Sequence, residues 1–185
     1  MTTDITDLYH AFVYNYHTLQ IAKGQNNATW THRVLGFFDQ LGRMLGHLVF
    51  FEEAKCDLTW WFDEEYRLHI EHENRPNKER IIEKTIKKVL ISDAKRAIAI
   101  CYPKTEKERQ EIEEWIKNNS KKMRKPEEVM IILDNSYFIK ENNIFRTHII
   151  TEKWYNIWSE RKKIDENGYF TLVFLEEEEE ESDKN

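Results

Sequence analysis

Glycine and proline are scarce in this chain, five and three among 185 residues. That excludes collagen-like repeats and long Gly/Ser or Pro-rich linkers. Such a Lys/Glu-rich, glycine-poor composition fits a heat-adapted organism or an AT-rich genome. Cysteine is equally rare. Cys56 and Cys101 lack metal-ligand spacing and sit inside apparent strands, so they read as buried thiols rather than a secreted disulfide framework. No apolar run approaches the roughly 18 residues that a membrane span needs. The start, MTTDITDLYH, is acidic and polar, unlike a signal peptide, so a cytoplasmic location and no membrane partner are expected. A dominant charge is missing as well. The net charge of −6 resides in the C-terminal run Glu176 to Glu181 with Asp183, and acids and bases balance elsewhere. Balance on that scale says nothing for or against nucleic acid, because local clustering decides.

What is present is a 40% hydrophobic, 13% aromatic chain, enough to build one sizeable core. The spacing predicts helices over 4–22, closed by Gly24, and over 31–45. Aromatic and β-branched residues then predict strands 48–53, 56–62 and 66–73, with a turn at Asp63–Glu65. An amphipathic helix comes next over 77–91, then a buried strand over 97–102, a helix over 105–118 and a basic loop, KKMRKP. Buried strand 128–133, strand 144–150, helix 151–162 and strand 168–175 complete the order. A meander and then crossovers imply an α/β fold, a mixed sheet with helices on both faces, in one domain over 1–175. Strands 56–62 and 66–73 should pair antiparallel, with 97–102 parallel beside the latter. The acidic segment 176–185 is expected to be disordered.

Strand period places Arg67, His69, Glu71 and Glu73 on one face and Leu68, Ile70 and His72 on the other. On the preceding strand Asp57, Thr59 and Trp61 share a face, and the hairpin sets Asp57 roughly opposite Glu73. Three carboxylates so arranged repel, and a divalent cation with oxygen ligands relieves that repulsion.

Asp57, a gap of 13 residues, then Glu71-His72-Glu73, in a strand–turn–strand succeeded by an amphipathic helix and a buried strand, resembles the core of the PD-(D/E)XK nucleases. The resemblance covers about residues 30–102 and implies a restriction endonuclease-like sheet. By position it makes Asp57 and Glu71 the metal ligands for Mg²⁺ or Mn²⁺. Cys56 stands where the motif has proline. Glu73 stands where the family usually has lysine, so Glu73 becomes a general base or further ligand, and Lys55 or Lys84 is a candidate replacement for the missing cation. The implied activity is metal-dependent hydrolysis of nucleic acid, DNA favoured over RNA. The alternative is a non-catalytic interaction protein that keeps the scaffold, from a virus or mobile element.

Outside the motif, Arg75, Lys78 and Arg80 come directly after the acidic strand, and Lys121, Lys122, Arg124 and Lys125 form the basic loop. Both groups are candidates for phosphate contacts. His69 and His72 read as structural or substrate-facing. Trp154, Tyr155 and Trp158, placed on one helix, offer core or dimer contacts. Cutting both strands of a duplex would favour a homodimer.

Overall fold

The structure is a computed structural model, and it describes residues 3–22, 24–134 and 144–179. The first helix, α1 (Ile5–Asn15), begins where Asp4 accepts from the Asp7 amide while the Asp7 side chain accepts from the Asp4 amide. A 3₁₀ turn, Tyr16–Leu19, continues it and ends at Gln20, which takes the left-handed conformation. The helical segment therefore stops before Gly24, the residue expected from the spacing to close it. Helix α2 (Asn27–Met44) starts four residues earlier than the spacing implied, because the Asn26 side chain caps the Thr29 amide.

Three short strands come next: β1 (Leu48–Phe51), β2 (Leu58–Phe62) and β3 (Glu65–Glu73). Asp63 and Glu64 both have positive φ, as a two-residue hairpin turn demands. Helix α3 spans 78–90 and is α-helical at Lys78–Arg80, π-helical at Ile81–Ile86 and α-helical again at Lys87–Leu90. Then come β4 (Arg96–Cys101), α4 (Glu106–Met123) and β5 (Glu128–Asp134). The last strands are β6 (Ile144–Thr151), β7 (Tyr155–Ile164) and β8 (Phe170–Glu179).

Among the described residues one mixed sheet of eight strands results, and its spatial order is the chain order, β1 to β8. β1, β2 and β3 form an antiparallel meander, β3, β4 and β5 run parallel, and β5 to β8 are antiparallel again. The expected pairings of β2 with β3 and β3 with β4 are both present. Alternation splits the core in two. Leu68, Ile70, Ile98, Ile100, Met130 and Ile132 pack under α1 and α2, while Ala97, Ala99, Cys101, Val129 and Ile131 pack under α3 and α4. The chain is thus an α/β protein with helices on both sheet faces.

Two expectations fail. Residues 151–162 are not a helix: Tyr155–Ile164 is strand β7, paired with β6 and β8. Its Trp158 is buried against Tyr9 of α1, ring centroids 4.3 Å apart, and Tyr155 is buried on the opposite face. Trp154 packs, partly buried, at the edge of the same core, so these aromatics serve the protomer's own interior rather than an intermolecular helix face. Also, β8 continues through Glu179, with Glu176–Glu179 laddered to Asn156–Ser159, so the acidic run does not begin outside the sheet. Residues 180–185 of the expected disordered tail lie outside the described residues.

Candidate active site

The site lies where the ends of β1 and β3 meet the start of β2. The chain reaches it through a tight segment. Glu52, Ala54 and Lys55 all have positive φ, between 52° and 63°, in a chain that places no glycine there. L-residues disfavour that region by roughly 1 kcal/mol or more each. The segment delivers Cys56, buried, and Asp57, half-buried, to the mouth of β2.

Asp57 Oδ2 accepts the His72 amide N–H at 2.7 Å, and the Asp57 carbonyl accepts the Glu52 amide at 3.2 Å. With Leu58 opposite Ile70, Asp57 falls across from Glu71 and His72 rather than Glu73. Counting from the Phe62–Glu65 pair alone would put Asp57 opposite Ile70, and the bulge between Trp60 and Trp61 moves it on by one residue to Glu71, still two short of the expected Glu73. Burial raises the Asp57 carboxyl above its usual range, the His72 N–H opposes that, and Glu73 adds to it.

Glu71 is buried on the α3 face. Its Oε1 lies 2.5 Å from Lys88 Nζ. Burial pushes its carboxyl up to about 6 even though Lys88 pulls the other way, and the Asp57 charge adds to the rise. Burial and the neighbouring Glu71 likewise push the Cys56 thiol up to about 12, so it is a neutral donor toward Glu71 and no nucleophile.

Lys88 is the site residue that sequence reasoning misses. Lys55 and Lys84, the lysines proposed from the sequence, are exposed, whereas Lys88 is half-buried over Glu71. The π turn explains the miss. The Lys87 amide donates to Ile82 O, which inserts an extra residue into α3 and rotates the remainder of the helix. Simple helical spacing from Ile81 cannot tell which of Lys84, Lys87 and Lys88 faces the sheet. Lys87 turns aside to Glu83.

Glu73 is already engaged. Its carboxylate pairs with Arg80 and accepts the Arg75 amide, which ties the end of β3 to the start of α3. Asp57 and Glu73 line an open cleft of about 420 Å³ together with Thr31, Leu35, Phe51 and Arg75. Glu71 is not one of the residues lining that cleft and is paired with Lys88. His72, on the other sheet face, bonds the Tyr102 hydroxyl at 2.8 Å through Nε2, and burial lowers its imidazole to about 3. His69 Nδ1 meets Ser92 Oγ at 2.7 Å, and burial lowers its pKa too. Burial thus disfavours the charged form of both; His69 sits against Ser92, whereas His72 also lines the cleft.

The basic candidates divide. Arg75 lines the cleft, Arg80 pairs with Glu73, and Lys78 pairs with Glu111 at 2.5 Å. Lys121 and Lys122 are not loop residues but belong to the last turn of α4. Arg124 donates to the carbonyls of Pro126 and Glu127, and Lys125 pairs with Asp93 at 3.6 Å. This group sits where β5 begins, level with Leu68 and Arg96, whereas Glu73 is level with Cys101 and Leu133. Five strand residues, about 17 Å, separate the two ends. The structure thus does not bring 121–125 to the carboxylates.

As to a metal, among the described residues no three His, Cys, Asp or Glu side chains converge as ligands. The donors present are two carboxylates, Asp57 and Glu71, on one sheet face. Hard oxygen donors in that number suit Mg²⁺ or Mn²⁺, which complete their shells with water and phosphate, and do not make a transition-metal cage. Among the described residues, no helix is long and apolar enough to cross a membrane. No protein-family model matches the chain, and no curated protein matches it significantly.

Proposed function

We propose that the chain is a metal-dependent nuclease of the PD-(D/E)XK type whose lysine has moved from the strand to helix α3. The observation that carries this reading is Lys88 Nζ at 2.5 Å from the buried Glu71. It restores the pairing of an acid and a cation that a glutamate at position 73 takes from the strand. Further support comes from the element order α2–β1–β2–β3–α3–β4, with an antiparallel meander and then a parallel strand, the order that the resemblance calls for.

In this reading Asp57 and Glu71 hold Mg²⁺ or Mn²⁺. The ion supplies electrostatic stabilisation of the phosphodiester oxygens and lowers the pKa of water. Lys88 keeps the Glu71 carboxylate ionised and adds positive charge where the phosphate's negative charge grows. Glu73 holds Arg80 and the Arg75 amide in place, so Arg75 can meet the backbone of DNA, the favoured substrate over RNA, at the cleft.

The test is divalent-metal binding by calorimetry and cleavage of labelled DNA and RNA, with EDTA as control. Asp57→Asn and Glu71→Gln should each abolish metal binding and lower cleavage by orders of magnitude. Lys88→Met should lower cleavage while metal binding persists, because it removes a competitor for Glu71. Wild-type affinity for metal in both carboxylate variants would remove the site.

One observation favours a second reading. Two of the three carboxylates are neutralised within the protein, by Lys88 and Arg80. A scaffold that has lost catalysis and keeps its acids through internal ion pairs would look the same. No cleavage by the wild type with either metal would select this interaction-protein reading.

A further inference from the structure

Of the nine large apolar side chains exposed among the described residues, five gather at one corner: Met44, Leu48, Phe50, Phe51 and Phe62. Three of them are β1 itself, which forms one edge of the sheet. Edge strands in soluble proteins are ordinarily blunted by charge, proline or a bulge. β1 has none of these. Its four residues are uncharged, contain no proline and pair with β2 without a register shift. The opposite edge differs, because β8 ends in four glutamates, Glu176–Glu179.

The ladder shows which backbone groups are open. The Glu52 amide donates inward to Asp57 O at 3.2 Å. In an antiparallel pair, inward-bonded residues alternate with outward-facing ones. Phe50 and Leu48 therefore bond inward to β2, and the N–H and C=O groups of Val49 and Phe51 face away from the sheet. No described strand receives them. An edge of this kind accepts a β-strand, and β1 is complementary to itself. Two copies related by a two-fold axis through Phe50 place Val49 of each opposite Phe51 of the other, satisfying four outward groups on each chain. Phe50 then lies across the axis from its own counterpart, an aromatic cross-strand pair. No charge meets its like. The same register sets the acidic flank, Glu52 and Glu53, against Leu48 and His47 of the other copy.

We propose that this protein is a homodimer in which the two β1 strands pair antiparallel and join the sheets of two copies. The contact is isologous and therefore closes at two. It uses none of the carboxylates Asp57, Glu71 and Glu73, although Phe51, which pairs across it, also lines the cleft.

Sedimentation velocity on the full chain tests the proposal. The wild type should sediment at twice the chain mass of 22.6 kDa. Phe50→Lys and Phe50→Glu each put like charges across the axis and should raise the dimer dissociation constant about ten-fold or more. Mixing the two variants should restore a heterodimer, a result that only the Phe50-to-Phe50 register gives. Phe51→Pro, which removes an outward N–H but no bond to β2, should also yield monomer, with near-UV circular dichroism reporting an intact fold. A monomeric wild type at high micromolar concentration, open-ended assemblies, or a dimer indifferent to Phe50 would overturn the proposal.

Discussion

Gly42→Ala should lower stability by about 3 kcal/mol, although alanine is the better helix former. Gly42 lies in the last turns of α2, pressed onto the sheet. A Cβ built there would sit 2.5 Å from Trp60 Nε1, 2.6 Å from Trp60 Cε2 and 2.8 Å from Val49 Cγ2. Trp60 cannot retreat easily. It is almost wholly buried, its Nε1 donates to Phe38 O at 3.1 Å, and the His47 ring stacks on it. The helix must lift or the indole must abandon its hydrogen bond. The gain of roughly 1 kcal/mol in helix propensity offsets only part of that cost. Urea titration followed by tryptophan fluorescence measures it. In a Trp60→Phe background the same alanine should cost much less, because a smaller ring leaves room. Equal costs in both backgrounds would show that Trp60 is not the obstacle.

Glu160→Gln is expected to raise stability, and to raise it more at higher pH. Glu160 is fully buried on β7 beneath α1, where the Tyr9 hydroxyl meets Oε1 and Thr147 Oγ1 lies 3.4 Å from Oε2. Burial raises its carboxyl pKa well above the ordinary value. The native protein thus keeps a proton that the unfolded chain releases. Its contribution is fully present below the unfolded glutamate pKa and is lost as pH rises toward the folded pKa, at about 1.4 kcal/mol per pH unit. Glutamine has nearly the same shape and no proton to lose, so the variant should lack that slope. Other groups titrate in the same range. Burial raises Glu71 to about 6 and lowers His72 and His148 to about 3, and those buried histidines weaken the fold as pH falls below the usual histidine value. Comparing variant with wild type at each pH cancels these contributions. Urea midpoints at pH 5, 6.5 and 8 should show a gap that widens upward. A constant gap, or a variant weaker at pH 8, would contradict the buried neutral carboxyl.

The same residue shows where the sequence is legible and where it is not. β2, β3 and β4 could be read because their signals are local: a short turn at Asp63–Glu65, alternation along RLHIEHE and an uninterrupted apolar run. The common face of Asp57 and Glu71 followed from strand period together with the hairpin, although the register placed Asp57 opposite Glu73 rather than Glu71. β7 could not be read in that way. Tyr155 and Ile157 face one core and Trp158 and Glu160 the other, so both faces are buried and the period-two signal vanishes. Glu160, within SERKK, resembles a solvated helix surface. Only the distant Tyr9 explains its position. Lys88 escaped for a related reason, since a π turn arises from packing rather than from residue propensity. The edge exposure of β1 was hidden too, because LVFF reads as core until its place at the end of the sheet is known.

The strand order has a consequence for how the chain can be made. Because every strand lies beside its predecessor, the sheet can grow from one side as the ribosome delivers it, and no later segment has to be threaded between two that have already paired. The N-terminal helix is the exception. α1 buries Tyr9 against Trp158 and Glu160, and the stretch after it is joined to β8 through the Phe170 amide and Ile21 O at 2.9 Å. Phe12 of α1 can stack on Phe38 of α2 and the helix can settle on the middle strands early, but its Tyr9 contacts close only once β7 has been made.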